Sequence, residues 1–124
     1  MAQNFDTLTA EIGLAVTRIV KTDLALLRGY SQAKARAIAS FTVLLGEGYA
    51  TGRVGEEQMT LEMVELERMV VRFVRNMQAL ATTTVERLLR SIGEVLSATL
   101  QRAVGLPVLT MAPSTGMVWG VGPR

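Results

Sequence analysis

Apolar side chains recur every three or four residues along much of the chain, the spacing that forms one face of a helix. The longest such pattern lies within residues 56–104 and begins with Met59, Met63, Leu66, Val70, Phe73, Met77 and Leu80. A single helix over this range would be roughly 75 Å long. Because a chain of 124 residues is too short to cover so long an apolar seam alone, we expect other copies or its own remaining segments to pack along it.

The apolar spacing changes phase near Ala81 and the three threonines that follow it. Beyond them the apolar positions are displaced from the earlier pattern, at Val85, Leu88, Leu89, Ile92, Val95, Leu96, Leu100 and Val104. Neither glycine nor proline lies at the phase change, which favours a continuous or gently bent helix. A break near Thr82–Thr84 is the alternative.

Two shorter helices are predicted before the long one, over about residues 5–28 and 32–45. The first has a stripe at Phe5, Leu8, Ile12, Ala15, Ile19 and Leu26 and ends before Gly29. Ser31 is a suitable N-cap for the second helix, whose inward positions are predicted to be Ala33, Ala37, Phe41, Leu44 and Leu45. A strand over residues 41–45 is the alternative, but no other segment offers it a partner.

Four glycines within Gly46–Gly55 predict a loop that acts as the hinge before the long helix. The order of its glycines is only superficially like that of the phosphate-covering loop of protein kinases. The last glycine is displaced by one residue and no lysine-bearing strand follows. A hinge is therefore the expected role of this loop.

The chain changes character after Arg102. Residues 103–123 carry no charge, and the prolines at positions 107, 113 and 123 exclude a continuous helix. Large apolar residues such as Leu109 and Trp119 are nevertheless frequent there, which is not typical of a solvated tail. We therefore expect an extended arm over residues 105–124 that lies in a groove of its own or a neighbouring subunit, with Trp119 as an anchor.

These patterns predict an all-α protein, an elongated and coiled-coil-like helical bundle of two shorter helices and one long helix. Residues 1–104 form the helical domain and residues 105–124 the extended apolar C-terminal arm. The predicted interface between copies comprises Met59, Met63, Leu66, Val70, Phe73, Met77, Leu88, Ile92, Leu109 and Trp119.

The chain contains no cysteine and no histidine. This composition excludes disulfides, thiolate nucleophiles, Cys/His zinc sites and an imidazole general base. The glutamates at positions 62, 65 and 67 lack the histidines that a di-iron carboxylate site needs, although all-oxygen binding of Mg²⁺ or Ca²⁺ remains a minor alternative. We therefore expect no catalytic residues, no cofactor and no resident metal.

Charge is segregated along the predicted long helix, although the net charge is only +2. Glu56 and Glu57 open it, and Arg68, Arg72 and Arg75 share one face further on. A parallel dimer would place glutamate against glutamate, so antiparallel or staggered packing is favoured. The small net charge does not predict a dedicated nucleic-acid-binding surface.

The function that these features favour is that of a non-enzymatic structural protein. Its copies would form a homo-oligomer by self-assembly, as a component of a particle, a tube or a virion-like structure, with other subunits of that assembly as further partners. One alternative is a peripheral membrane or granule-surface protein with amphipathic helices. Another is a small adaptor or chaperone-like protein that holds a partner helix.

The N-terminus lacks the basic and apolar regions of a signal peptide, and no apolar run is long enough to span a membrane. We therefore expect synthesis in the cytoplasm, followed by incorporation into an assembled particle. The sequence leaves open the subunit number, the symmetry, the identity of any partner and whether arms are exchanged between chains.

Overall fold

The computed structural model describes residues 5–77 and 80–104, and within these ranges it contains four α-helices and one short 3₁₀ turn. Helix α1 spans Phe5–Val20, the 3₁₀ turn Leu24–Leu26, α2 Gln32–Ala50, α3 Glu56–Arg75 and α4 Thr82–Val104. The described residues include no strand. The all-α prediction is therefore confirmed, and residues 41–45 are helical rather than extended.

The helices pack as a bundle around one apolar core. Helices α2 and α4 contact each other, and each also contacts both α1 and α3. The largest fully buried side chains come from every helix, among them Leu8, Ile38, Phe73 and Leu96. Among the described residues, no buried side-chain nitrogen or oxygen lacks a hydrogen-bond partner. The predicted bundle is thus formed within a single chain.

The single long helix over residues 56–104 is not confirmed. Helix α3 ends at Arg75, and the Met77 amide then donates to the Val74 carbonyl oxygen (3.1 Å) in a turn. Helix α4 begins at Thr82, with the Val85 amide donating to the Ala81 carbonyl oxygen (3.0 Å). The break expected as the alternative therefore falls immediately before the threonines. It lets the apolar faces of α3 and α4 pack against the same core, which a continuous rod would prevent.

The first helix ends earlier than the predicted residue 28. Its regular backbone stops at Val20, and Lys21 adopts a positive φ of 60°. Leu26, assigned to the buried stripe, is 73% exposed in the 3₁₀ turn. Gly29 then turns the chain with a φ of 90°, where an added Cβ would lie only 1.8 Å from the Asn76 carbonyl oxygen. The connection is therefore shaped by its close approach to the end of α3.

The second helix continues past the predicted residue 45 to Ala50, so most of the glycine-rich segment is helical. Gly46 and Gly48 are buried on its packed side. A Cβ at Gly48 would lie 2.7 Å from Val54 Cγ2, and the Val54 amide donates to the Gly48 carbonyl oxygen (3.0 Å). Gly48 therefore allows close packing against Val54, and neither glycine interrupts the helix, which leaves residues 51–55 as the connection to α3.

The buried face of α2 also differs from the prediction. Ala33, Ala37 and Leu44, predicted to point inward, are exposed. The buried positions lie about one residue further along the helix, at Ala35, Ile38, Ala39, Thr42, Val43, Leu45, Gly46 and Gly48. Helix α2 contacts α1, α3 and α4, so its orientation is set by three neighbours. Ser31 caps this helix as predicted, its Oγ accepting from the Lys34 amide (3.1 Å).

The predicted arm over residues 105–124 lies outside the described residues. Its conformation, and the division of the chain into a helical domain and an arm, therefore stay predictions.

Candidate interaction site on helices α2 and α3

The described residues of the predicted interface between copies lie in the core of one chain. Each is at most 4% exposed: Met59, Met63, Leu66, Val70, Phe73, Met77, Leu88 and Ile92. They belong to one cluster that also includes buried residues of α1 and α2. The intrachain packing accounts for their burial without a second copy. Leu109 and Trp119 lie outside the described residues.

A cleft opens on the surface between the first half of α2 and the second half of α3. Its volume is about 180 Å³, and its lining residues are Lys34, Ala37, Ile38, Met69, Arg72 and Phe73. Small-molecule sites usually have volumes of roughly 300–1,000 Å³. The cleft is therefore suited to a single inserted side chain rather than to an enclosed small ligand.

The segment just before α2 packs against one wall of the cleft. The Tyr30 ring meets the Phe73 ring edge to face, with centroids 5.6 Å apart and an interplanar angle of 69°. Tyr30 Oη also contacts Gln32 Oε1 (3.3 Å), and partial burial raises the pKa of the Tyr30 phenol above its ordinary value of 10.0. Because Phe73 lines the cleft, its contact with Tyr30 supports one wall of the cleft.

Two cations flank the apolar floor of the cleft. Lys34 and Arg72 are both exposed, and neither has an ion-pair partner among the described residues. Among the described residues, ion pairs join Arg36 to Asp6 and Arg68 to Glu65, the latter at 3.7 Å. A cleft with an apolar floor and a cationic rim favours a partner that presents an apolar side chain beside carboxylates.

Helix α3 carries an exposed stripe that runs past this cleft. The members of this outer stripe are spaced three or four residues apart and are exposed or partly exposed: Glu57, Leu61, Glu65, Arg68, Arg72 and Arg75. Leu61 is the apolar member of this otherwise charged stripe, and it is 65% exposed. The first half of the stripe is acidic and the second half is basic, in the order that the helix dipole favours.

The acidic side chains of the described residues do not gather into a metal-binding cluster. No cluster of three or more Asp or Glu residues capable of holding a metal ion occurs in this part of the chain. Glu62 is hydrogen-bonded by Gln58 (2.6 Å), and Glu65 contacts Arg68.

The row of three arginines is visible in the sequence, whereas the cleft is not. Lys34 and Arg72 are 38 positions apart, and they line one cleft only because α2 and α3 pack against each other. The apolar spacing of α2 predicts that Ala37 points inward, whereas the structure leaves Ala37 exposed at the cleft. The sequence pattern therefore gives no sign that Ala37 lies on the surface. The row of arginines and the apolar Leu61 between Glu57 and Glu65 are the features of the sequence that lie on this surface.

Comparison of the chain with protein-family models, curated proteins and solved structures found no match. Within residues 5–77 and 80–104, no helix is both long and apolar enough to cross a membrane.

Proposed function

We propose that this protein is a non-enzymatic structural subunit that assembles with copies of itself into a larger particle or tube. The observation that carries the proposal is the charge-free, apolar sequence of residues 103–123, attached to a bundle with a core of its own. The described residues of the four helices form this core. We infer that a groove on a neighbouring copy covers the apolar side chains of the arm.

Burial of apolar area on a neighbouring copy would stabilise the assembly. If an arm buries roughly 400 Å² on a neighbour, the gain is on the order of 10 kcal/mol before the costs of ordering the arm. The absence of cysteine and histidine from the sequence supports the non-enzymatic part of the proposal.

The test is removal of all residues after Gly105, with the mass of both proteins measured by light scattering on a sizing column. We expect the full-length protein to form large or concentration-dependent assemblies and the truncated protein to lose them. Circular dichroism should show that the helices are retained in both proteins. A full-length Trp119→Ala variant is a second test, and it should weaken assembly if Trp119 anchors the arm. Unchanged assembly of the truncated protein would overturn the role of the arm.

The peripheral-membrane alternative receives less support from the bundle. The apolar faces of α1, α3 and α4 are covered by one another and by α2. Binding to a lipid surface through those faces would require the bundle to open. Co-flotation of the full-length protein with anionic vesicles, in the absence of self-assembly, would favour the membrane role over the structural one.

A further inference from the structure

The outer stripe of α3 is complementary to itself in charge. Its first half carries Glu57 and Glu65, and its second half carries Arg68, Arg72 and Arg75. A second copy lying antiparallel would place each acidic half against a basic half. A parallel copy would instead oppose Glu57 to Glu57 and Arg72 to Arg72, which is unfavourable.

The stripe is complementary to itself in shape as well. Leu61 and Arg72 are eleven residues apart, so an α-helix places them on the same face about 16 Å from each other. Arg72 lines the cleft, whereas Leu61 is the exposed apolar residue of the stripe. A two-fold axis midway between them would set Leu61 of each copy over the cleft of the other.

We propose that two copies of this protein pair antiparallel through the outer stripe of α3, with Leu61 of each inserted into the other's cleft. In this register Glu57 of one copy faces Arg75 of the other, and Glu65 faces Arg68. The inference rests on the proposed self-association and names one surface that carries it. A two-fold interface closes after two copies, so the arm would provide the second contact that links pairs into a larger assembly.

The size of the surface predicts a weak pair. The 20 residues of α3 present a strip about 30 Å long and roughly 10 Å wide, which is a smaller footprint than the ~800 Å² per partner of a standard interface. Leu44, which is 56% exposed, lies two turns from Ala37 on the same face of α2 and is a further exposed apolar side chain on that face. We therefore expect pairing that depends on protein concentration.

The absence of cysteine from the chain allows a direct test by disulfide crosslinking of the full-length protein. Glu57→Cys and Arg75→Cys are introduced together, or separately in two proteins that are then mixed. The two positions are 18 residues apart, about 27 Å along one helix, so they cannot join within a chain. We expect crosslinked pairs from the double variant and from the mixture, and none from either single variant alone.

A matched pair of leucine substitutions in the double-cysteine protein tests the insertion of Leu61. Leu61→Ser should weaken pairing at least about tenfold, because each pair loses two apolar side chains that would be buried in the clefts. Leu14→Ser removes a leucine on α1 that is 57% exposed and should leave crosslinking unchanged. Equal effects of the two substitutions would overturn the insertion.

The results also separate this inference from the proposed function. Crosslinking of Glu57→Cys alone would show parallel pairing and overturn the antiparallel arrangement. Large assemblies without any crosslink between the two positions would overturn the α3 surface while leaving the assembly function standing. A full-length protein that stays monomeric at every concentration would overturn both proposals.

Discussion

Glycines 29, 52 and 55 occupy three different backbone environments and form a graded test of the fold at the residue scale. Gly29 has a φ of 90° and lies against the backbone of Asn76, whereas Gly52 has a φ of 83° and an open surrounding. Gly55 has an ordinary φ of −81° and also has open space around it. An alanine at position 29 therefore meets both a conformational and a steric barrier. An alanine at position 52 meets the conformational barrier alone, and one at position 55 meets neither.

We predict that alanine substitution destabilises the protein in the order Gly29, Gly52, Gly55. Gly52→Ala should lower the free energy of unfolding by about 1–2 kcal/mol, the usual cost of a positive φ. Gly29→Ala should cost more than about 3 kcal/mol, because its Cβ also overlaps Asn76. Gly55→Ala should stay within about 0.5 kcal/mol, since reduced chain entropy in the unfolded state offsets a poorer N-cap. Urea unfolding followed by circular dichroism measures all three, and equal costs would contradict the close approach of Gly29 to α3.

At the scale of elements, the main finding is the break between α3 and α4. Thr82 is the first residue of α4 and Ala81 precedes it outside the helix. Proline is favoured at the first position of a helix, where the amide has no partner to lose. In the interior of a continuous helix the same residue costs about 3 kcal/mol or more.

We therefore predict that Thr82→Pro changes the free energy of unfolding by less than about 0.5 kcal/mol. The control is Glu94→Pro, an exposed position in the middle of α4, which should cost at least about 3 kcal/mol. Chemical unfolding of both variants measures these two changes in the free energy of unfolding. A loss at Thr82 as large as that at Glu94 would indicate a continuous helix through residues 76–81.

At the scale of the whole molecule, the seam that resembled an interface between copies is used to close the bundle within one chain. Leu66 is fully buried in this core, whereas Leu61 on the same helix is 65% exposed. The two leucines therefore separate the stability of the single chain from the association of copies.

We predict that Leu66→Ala lowers the free energy of unfolding by about 2–5 kcal/mol. The difference from the unsubstituted protein should not change with protein concentration, because the lost contacts are intrachain. Leu61→Ala should cost less than about 0.5 kcal/mol in dilute protein and more where copies pair. Unfolding series at several concentrations measure both effects, and a cost at Leu66 that grows with concentration would place the seam between chains.

The sequence by itself determined the helical class, the cap at Ser31, the seam of α3 and the charge segregation of its outer stripe. These features are local, since helix periodicity, capping and the order of charges on one face depend only on residues a few positions apart. Tertiary structure decided the rest. It placed the break before Thr82, it carried α2 through Gly46 and Gly48, and it brought Lys34 to Arg72 in one cleft. Each of these depends on which faces of different helices meet, and a seam has the same sequence pattern whether its own chain or another copy covers it.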